Sequence, residues 1–351
     1  MPSFIQHQLI TGQGWNTLTT AFNRAWADAY VINQGPTTNP ATKAQLKFGW
    51  GQTPIQQVAK GVKITSSLWN SNLDSINIAG QNTGQLPLNV NLARVARGVK
   101  ITAERANLLE AVGNLVLANK NNLIPQRRNL MVLGQSQHNQ WSNLLVSEAV
   151  YTFDNFNKAR YYFNSGGELR INLQASLPGT GNLAGYNLWK SIYNNMGTAL
   201  LNVNTTAHTG PLASSRGIGF YDLTNTYQEL ICASTAGGGY GGYGGYGGYG
   251  GYGEYGAYCC DGGYGGYGGY GGYGGYGGYG NCPQLRIFGK IVNGRQIHIK
   301  VEIDNRSIGN VVHGRHTLSY NIGYAGGIDF GGVQFRIEKP ILAITTPLSG
   351  N

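Results

Sequence analysis

The sequence is poor in the residues that enzymes use for chemistry. Only 11% of its 351 residues are charged, and it holds 15 acidic side chains, 6 histidines and 4 cysteines. An average protein has about 25% charged residues. This scarcity does not favour an enzyme, and we expect no catalytic residue, no cofactor and no bound metal ion.

Long apolar segments are missing as well. No apolar run reaches the roughly 18 residues that a membrane-spanning helix requires. The opening stretch MPSFIQHQLITGQGWN has neither the basic nor the apolar region of a Sec signal peptide. We therefore expect a protein that is not inserted in a membrane and is not exported by that route.

Positive charge is concentrated at the front of the chain. Residues 1–130 hold 12 Lys/Arg and 4 Asp/Glu, a balance of +8, whereas the other 221 residues hold 13 and 11, a balance of +2. A basic segment can face nucleic acid or an acidic protein surface. Apart from Arg127-Arg128 the cations are dispersed, which favours a solvated face or an acidic protein partner over nucleic acid.

A glycine-tyrosine tract dominates the second half of the chain. Between residues 237 and 280 tyrosine recurs at every third position, filling 13 of 14 slots, and 26 of the 56 glycines lie here. Such a segment is either a flexible linker or an extended three-residue helix with its tyrosines along one edge. We favour order within an assembly, with an interaction stripe made of Tyr240, Tyr243, Tyr246, Tyr249, Tyr252, Tyr255, Tyr258, Tyr264, Tyr267, Tyr270, Tyr273, Tyr276 and Tyr279.

The four cysteines are placed symmetrically about this tract. Cys232 and Cys282 flank it, and the adjacent Cys259 and Cys260 lie next to its midpoint. A fold-back of two arms would bring Cys232 and Cys282 together at the base of a projecting loop. We expect disulfides that form after release into an oxidising medium, with the apical pair reaching the other arm or another chain. Inert thiols, or a zinc ion shared between chains, are the alternatives.

A short motif recurs in the front third. VAKGVKIT at residues 58–65 returns as VARGVKIT at residues 95–102, and the Ile-Thr-x3-Trp-Asn pattern at residues 10–16 returns at residues 64–70. Each threonine can cap a following helix, which predicts the helices TGQGWNTLTTAFNRAWADAYVIN, SSLWNSNLDSINIAG and AERANLLEAVGNLVLANKNNL. The Gly-Val-Lys-Ile-Thr stretch lacks P-loop spacing, so we interpret it as a turn before the cap.

The third predicted helix carries an apolar stripe. Its members recur at the i, i+3, i+4 spacing of a packed helix: Leu108, Leu109, Val112, Leu115 and Val116. We expect these three helical units to be small packing modules that dock on a neighbour.

The rest of the chain has the pattern of an all-β domain. Predicted strands are NLMVLG, EAVYTF, ARYYFNSG, ELRINLQAS, IGFYDL, YQELICAS, LRIFGKIV, QIHIKVEID, TLSYNIGY and VQFRIEKPI, with one helix around residues 186–193. We expect an α+β multidomain fold: a helical repeat and docking region at 1–124, a linker at 125–147, and a mainly antiparallel β-sandwich at 148–351 that the tract interrupts as a hairpin-like projecting loop.

Few polar side chains in this region are candidates for catalysis or metal binding. Glu168, Asp222 and Glu229 are candidates for a glycosidase carboxylate pair, but nothing in the sequence brings two of them together. Gly166-Gly167 before Glu168 predicts a hairpin turn that enters a strand. His313 and His316 are three residues apart without a matching carboxylate, so we expect no metal site there.

One block resembles a known family. ARYYFNSGGELRI at residues 159–171 is similar to an RYFFN-GGE-R-I block of virion structural proteins from T4-like myophages and cyanophages, where it follows duplicated short helices with an IT-x3-WN pattern. GIGFYDL at residues 217–223 resembles the G-Y-Y-D-L stretch of the same family. The resemblance covers most of residues 1–230 and the final strands, and the glycine-tyrosine tract departs from it.

This resemblance implies a structural role in the tail, neck or fibre of a virion that assembles in the host cytoplasm and leaves by lysis. We expect a non-enzymatic homo-oligomer, a trimer or a ring, that contacts other virion proteins and contributes to attachment to a host-surface glycan or protein. The alternatives are a capsid or neck decoration protein, a host-glycan depolymerase, and a cellular Gly/Tyr-rich wall protein.

Overall fold

The computed structural model describes residues 10–28, 39–88, 91–177, 183–234, 283–306 and 311–350. The tyrosine stripe and the cysteines at positions 259, 260 and 282 lie outside these ranges. The predictions made for the tract therefore stay predictions.

Helices form the front region and two later segments. Within the described ranges they are α1 (Gly12–Trp26), α2 (Pro40–Leu46), α3 (Ser66–Asn82), α4 (Ala103–Ala118), α5 (Phe156–Asn164) and α6 (Leu183–Met196). The predicted threonine caps are confirmed, because Thr11, Thr65 and Thr102 accept hydrogen bonds from backbone N–H groups three residues on, at 3.1, 3.2 and 3.4 Å. Before the last two caps the chain turns at Gly61 and Gly98, whose φ angles of +84° and +85° suit glycine.

The strands form antiparallel sheets. They are β1 (Asn129–His138), β2 (Leu144–Thr152), β3 (Glu168–Ser176), β4 (Thr198–Leu201), β5 (Thr206–His208), β6 (Ser214–Ser215), β7 (Gln228–Ser234), β8 (Gln284–Val292), β9 (Gln296–Asp304), β10 (Arg315–Tyr324), β11 (Ile328–Phe330), β12 (Val333–Phe335) and β13 (Ile341–Gly350). Their orders are β1-β10-β3-β4-β5, β13-β2-β9-β8-β7-β6 and β11-β12. Helices together with antiparallel sheets make an α+β fold, as the sequence predicts.

The two large sheets face each other across an apolar core. The Tyr320 hydroxyl of β10 donates to Ser147 Oγ of β2 at 2.8 Å, and the rings of Tyr151 and Tyr320 lie 6.4 Å apart. Inward side chains of β9 and β10 are fully buried, among them Ile299 and Leu318. Residues 125–147, assigned to a linker, hold β1 and the start of β2, so the strands begin before the predicted boundary.

Two predicted strands are wrong. ARYYFNSG forms helix α5, because its buried side chains follow helical spacing and Asn155 caps its first turn through the Lys158 N–H at 3.0 Å. Gly166, with φ of +85°, ends that helix, so Gly166-Gly167 joins a helix to β3 and is not a hairpin turn. IGFYDL forms a 3₁₀ turn at Phe220–Asp222.

Two further details differ from the sequence prediction. In VQFRIEKPI only Val333–Phe335 is a strand before the final strand begins at Ile341. On α4, Leu109, Val112 and Val116 are buried, but Leu108 and Leu115 are about half exposed. The apolar stripe of α4 is therefore narrower than predicted.

The strands on either side of the tract pair as predicted. β7 and β8 are antiparallel neighbours, and Ser234 lies opposite Gln284 where the chain leaves and re-enters the described residues. Cys232 is buried and is not a free thiol. Its ladder partner is Arg286, and position 282 lies outside the described ranges, so the 232–282 disulfide stays a prediction.

Candidate functional site

The carboxylates considered for glycan hydrolysis lie in separate ion pairs. Each contacts cations of its own: Glu168 with Arg128 and Arg170, Asp222 with Lys43, and Glu229 with Arg216. Among the described residues no ion pair or hydrogen bond joins two of these three carboxylates. Each of these carboxylates is therefore held in a structural ion pair with its own cations.

The histidines do not form a metal centre in the described ranges, where no cluster of three or more His, Cys, Asp or Glu could hold an ion. His316 is fully buried, with the Tyr193 hydroxyl 2.8 Å from its Nδ1 atom. Burial and the neighbouring His138 lower the pKa of His316 to about 4. His316 is therefore a neutral core residue at physiological pH.

The block that carries the family resemblance joins the helical region to the sheets. Arg160 of α5 is completely buried and holds Asp28 through two bonds of 2.9 and 3.2 Å. It also donates to the carbonyls of Leu46 and Phe48. Burial alone would lower the pKa of Arg160, but its hydrogen bond to Asp28 and the nearby negative charge raise it.

Asn164 extends this junction one helical turn further. Its side-chain amide donates to the carbonyls of Leu46 and Phe48 at 2.8 and 2.9 Å, and its own backbone carbonyl accepts from Trp50 Nε1 at 3.0 Å. The Tyr221 hydroxyl, from the second block that resembles the family, donates to Asn164 Oδ1 at 3.0 Å. These residues are thus structural: they satisfy the backbone of residues 46–50, which forms no regular ladder.

The outer face of the six-stranded sheet is charged. Arg286 contacts Glu302 at 3.1 Å, and Lys300 contacts the same carboxylate at 2.8 Å. Along β9 these side chains alternate with buried Ile299, Val301 and Ile303. This is the ordinary pattern of a sheet with one solvated face.

The middle of the outer face of the five-stranded sheet is uncharged, and we call this part the neutral face. Glu168 and Arg170 of β3 and Arg315 of β10 lie on the same side of the sheet and border it. Residues directly opposite in antiparallel strands share a face, so the register assigns to it Leu130, Val132, Gln135, Gln137, Asn172, Gln174, Thr198, Thr317, Ser319 and Asn321. One row crosses four strands, from Gln135 through Ser319 and Asn172 to Thr198, with side-chain bonds of 3.0 and 3.2 Å at its two ends.

The neutral face ends at two apolar edge strands. β1 and β13 are edge strands of the two sheets and lie side by side, joined by the Leu348 N–H bond to Ser136 Oγ at 2.5 Å. Leu130, Val132 and Ile341 expose 64%, 58% and 73% of their surface. Natural proteins normally protect such edges with charges, yet NLMVLGQSQH has no charged residue before its final histidine and ILAITTPLSG has none.

No protein family model, curated protein or solved structure matches this chain. Within the described ranges, no helix has both the length and the apolar character needed to cross a bilayer.

Sequence reasoning missed the neutral face. The available signal was the lack of charge in the first and last strands, in a protein whose other strands of seven or more residues each carry at least one Lys, Arg or Glu. The surface can be recognised only when the strand register is known, because the pairing of β1 with β10 and of β10 with β3 places these polar side chains side by side.

Proposed function

We propose that this chain is a non-enzymatic structural component of a tailed bacteriophage virion, associated with the tail or a fibre, which assembles as a homo-oligomer and contributes to host-surface attachment. The chain would form a β-sandwich body with the glycine-tyrosine tract as a projecting loop between β7 and β8. The resemblance of residues 159–171 and 217–223 to virion structural proteins supports the phage assignment. No catalytic residue is part of this proposal.

The neutral face and the exposed apolar side chains of the edge strands β1 and β13 carry the proposal of assembly. The chain has a formal net charge of +10, so copies repel one another wherever charged surfaces meet. The neutral face lacks that repulsion, and the exposed apolar side chains Leu130, Val132 and Ile341 beside it would be buried by a neighbouring copy. We therefore assign this surface to contact with a second copy of the chain.

A charge placed on this surface tests the assembly. We expect the wild-type protein to sediment as an oligomer and Gln135→Lys to shift it toward the monomer, because the new ammonium group must be buried in the interface. Gln296→Lys is the matched control, since it adds the same charge at the end of β9 on the charged face. Sedimentation velocity at micromolar concentration measures both variants. A monomeric wild type, or equal effects of the two substitutions, contradicts the assignment.

Labelling of whole particles tests the location. Antibodies against this chain, bound to purified virions and viewed by immunogold electron microscopy, should mark the tail or its fibres. Label at the capsid or neck supports the alternative of a decoration protein. Absence of the chain from purified particles refutes a structural role in the virion.

A further inference from the structure

Three positively charged side chains lie around the ring of Phe48. The Arg24 Cζ atom is 4.4 Å and the Lys120 Nζ atom 4.1 Å from the ring centroid. Burial, and repulsion by Arg24 and Lys47, lower the pKa of the Lys120 ammonium group. The three cations are therefore close enough to repel one another. We call Arg24, Lys47, Phe48 and Lys120 the Phe48 cluster.

Each of these cations lies at the C-terminal end of a helix. Arg24 is in the last turn of α1, Lys47 directly follows α2, and Lys120 follows α4 by two residues. A helix C-terminus carries about half a negative charge, which offsets only part of the positive charge of one side chain. The helix ends therefore favour cations here but leave the cluster positive.

No carboxylate neutralises the two lysines of the cluster within the described ranges. No ion pair there includes Lys47 or Lys120. Lys47 donates instead to the neutral Asn204 Oδ1 at 2.9 Å. The lysines thus keep their charge available for an anion that the described residues do not supply.

The acidic residues of the front region are committed elsewhere or distant. Residues 1–130 hold four of them, of which Asp28 pairs with Arg160 and Asp74 with Arg94. The other two lie on α4, at least ten residues before Lys120, which is about 15 Å of helix. The parts of residues 1–130 that the structure does not describe contain no Asp or Glu. The front region therefore has no carboxylate of its own to spare for the cluster.

A polar groove adjoins the cluster along α1. Its volume is about 940 Å³, and it lies between α1 and the extended segment that ends at Gly61. Asn23 bonds both backbone groups of Ile55, and Asn16 bonds both groups of Val58, at 2.9 to 3.0 Å. The segment therefore runs antiparallel to α1. We call this cavity the α1 groove.

The α1 groove has a cation toward each end. Arg24 of the Phe48 cluster lines it in the last turn of α1, and Lys60 lines it beside the first turn, with Thr17 and Thr20 between them. From Gly12 to Arg24 the helix rises about 18 Å, which is the length of about five residues of extended chain. The groove thus has the length, the hydroxyl groups and the end charges to hold a short extended peptide.

We propose that the Phe48 cluster and the α1 groove bind an extended acidic segment of a partner protein. One carboxylate would lie among Arg24, Lys47 and Lys120, and another beside Lys60, while the threonine hydroxyls accept hydrogen bonds from the peptide backbone. Duplex DNA fits less well, because it carries one charge per about 1.7 Å and the middle of the groove has no cation. The site shares no residue with the neutral face, and the inference does not depend on the virion assignment.

Binding of a designed peptide to the full chain tests this inference. The probe is fluorescein-labelled Glu-Glu-Ser-Ser-Ser-Glu-Glu, followed by fluorescence anisotropy at low salt. Lys120→Gln should weaken binding about tenfold, because a half-buried charged partner contributes on that order. The substitution keeps the Lys120 backbone carbonyl that accepts from Trp50 Nε1, so the variant should fold. Lys60→Gln should weaken binding about threefold, because Lys60 is exposed.

Lys63→Gln is the matched control. It removes one charge from the same turn as Lys60 but does not line the groove, so peptide binding should not change. A wild type that does not bind the peptide, or equal effects of Lys120→Gln and Lys63→Gln, overturns the inference. A fluorescein-labelled DNA duplex should lose the same affinity in both variants. A larger loss with Lys120→Gln would mean that nucleic acid occupies the site and would overturn the assignment to a protein.

Discussion

Replacing Arg160 with methionine should weaken the junction between the helical region and the sheets and so lower the free energy of unfolding. The side chain of Arg160 is 0% exposed and contacts Asp28 at 2.9 Å, and it also donates hydrogen bonds to two backbone carbonyls and to Asn157 Oδ1. Methionine fills much of the same volume but leaves the Asp28 carboxylate without its cation. Because breaking a buried ion pair from one side costs about 3–5 kcal/mol, Arg160→Met should destabilise the fold by that order.

We expect the loss of stability to lie in the lower half of that range. Asp28 keeps one donor after the substitution, since the Tyr161 hydroxyl donates to it at 2.7 Å. Burial, with the hydrogen bond to Asp28 adding to it, raises the pKa of Tyr161, so this donor stays protonated across the working range. We therefore expect a loss of about 3 kcal/mol in the free energy of unfolding.

Urea unfolding followed by tryptophan fluorescence measures this loss, because Trp50 donates to the α5 carbonyl of Asn164 and reports on the junction. Arg216→Met is the matched control: Arg216 also pairs with a carboxylate, Glu229, but its side chain is 42% exposed. Exposed pairs contribute at most about 1 kcal/mol. If Arg160→Met costs no more than Arg216→Met, the junction does not depend on the buried pair and our reasoning is wrong.

Two other substitutions follow from the buried histidine and from the tract. His316 has a pKa of about 4 in the folded protein and 6.5 when exposed, so the unfolded chain binds the proton first as the pH falls. The contribution of His316 to the free energy of unfolding should be fully present above pH 7 and fall by about 3 kcal/mol between pH 6.5 and pH 4. In urea titrations His316→Phe should lose less stability over that interval than the wild type, and an equal loss would contradict the assignment. Replacing residues 237–280 with a short turn should leave the thermal midpoint of the body within a few degrees, because β7 and β8 still pair; an unfolded product would mean that the tract is part of the core.

The parts of the fold that local chemistry decides were predictable from sequence. Thr65 and Thr102 mark helix starts because their hydroxyls replace missing backbone partners, and the alternation in QIHIKVEID can serve only a strand with one buried face. Helix α5 was not predictable in this way. Its aromatic residues favour a strand by propensity, but Arg160 and Asn164, four residues apart, reach the same backbone carbonyls only from one face of a helix.

The neutral face was not predicted from the sequence, for a related reason. An uncharged strand has the same sequence whether its polar side chains lie in a core, under a neighbour or in solvent. Here the pairing of Gln135 with Ser319 and of Ser319 with Asn172 decides that they share one outer face. The lack of charge can thus be recognised in the sequence of a single strand. Which other strands share its outer face is decided only by the register of the folded sheet.

The proposed interface and the strands that flank the tract lie toward opposite edges of the six-stranded sheet. β13 is one edge of the six-stranded sheet, and β7 is four strands away from it, next to the short edge strand β6. Contacts between copies at β1 and β13 therefore leave Ser234 and Gln284, where the tract begins and ends, away from the interface.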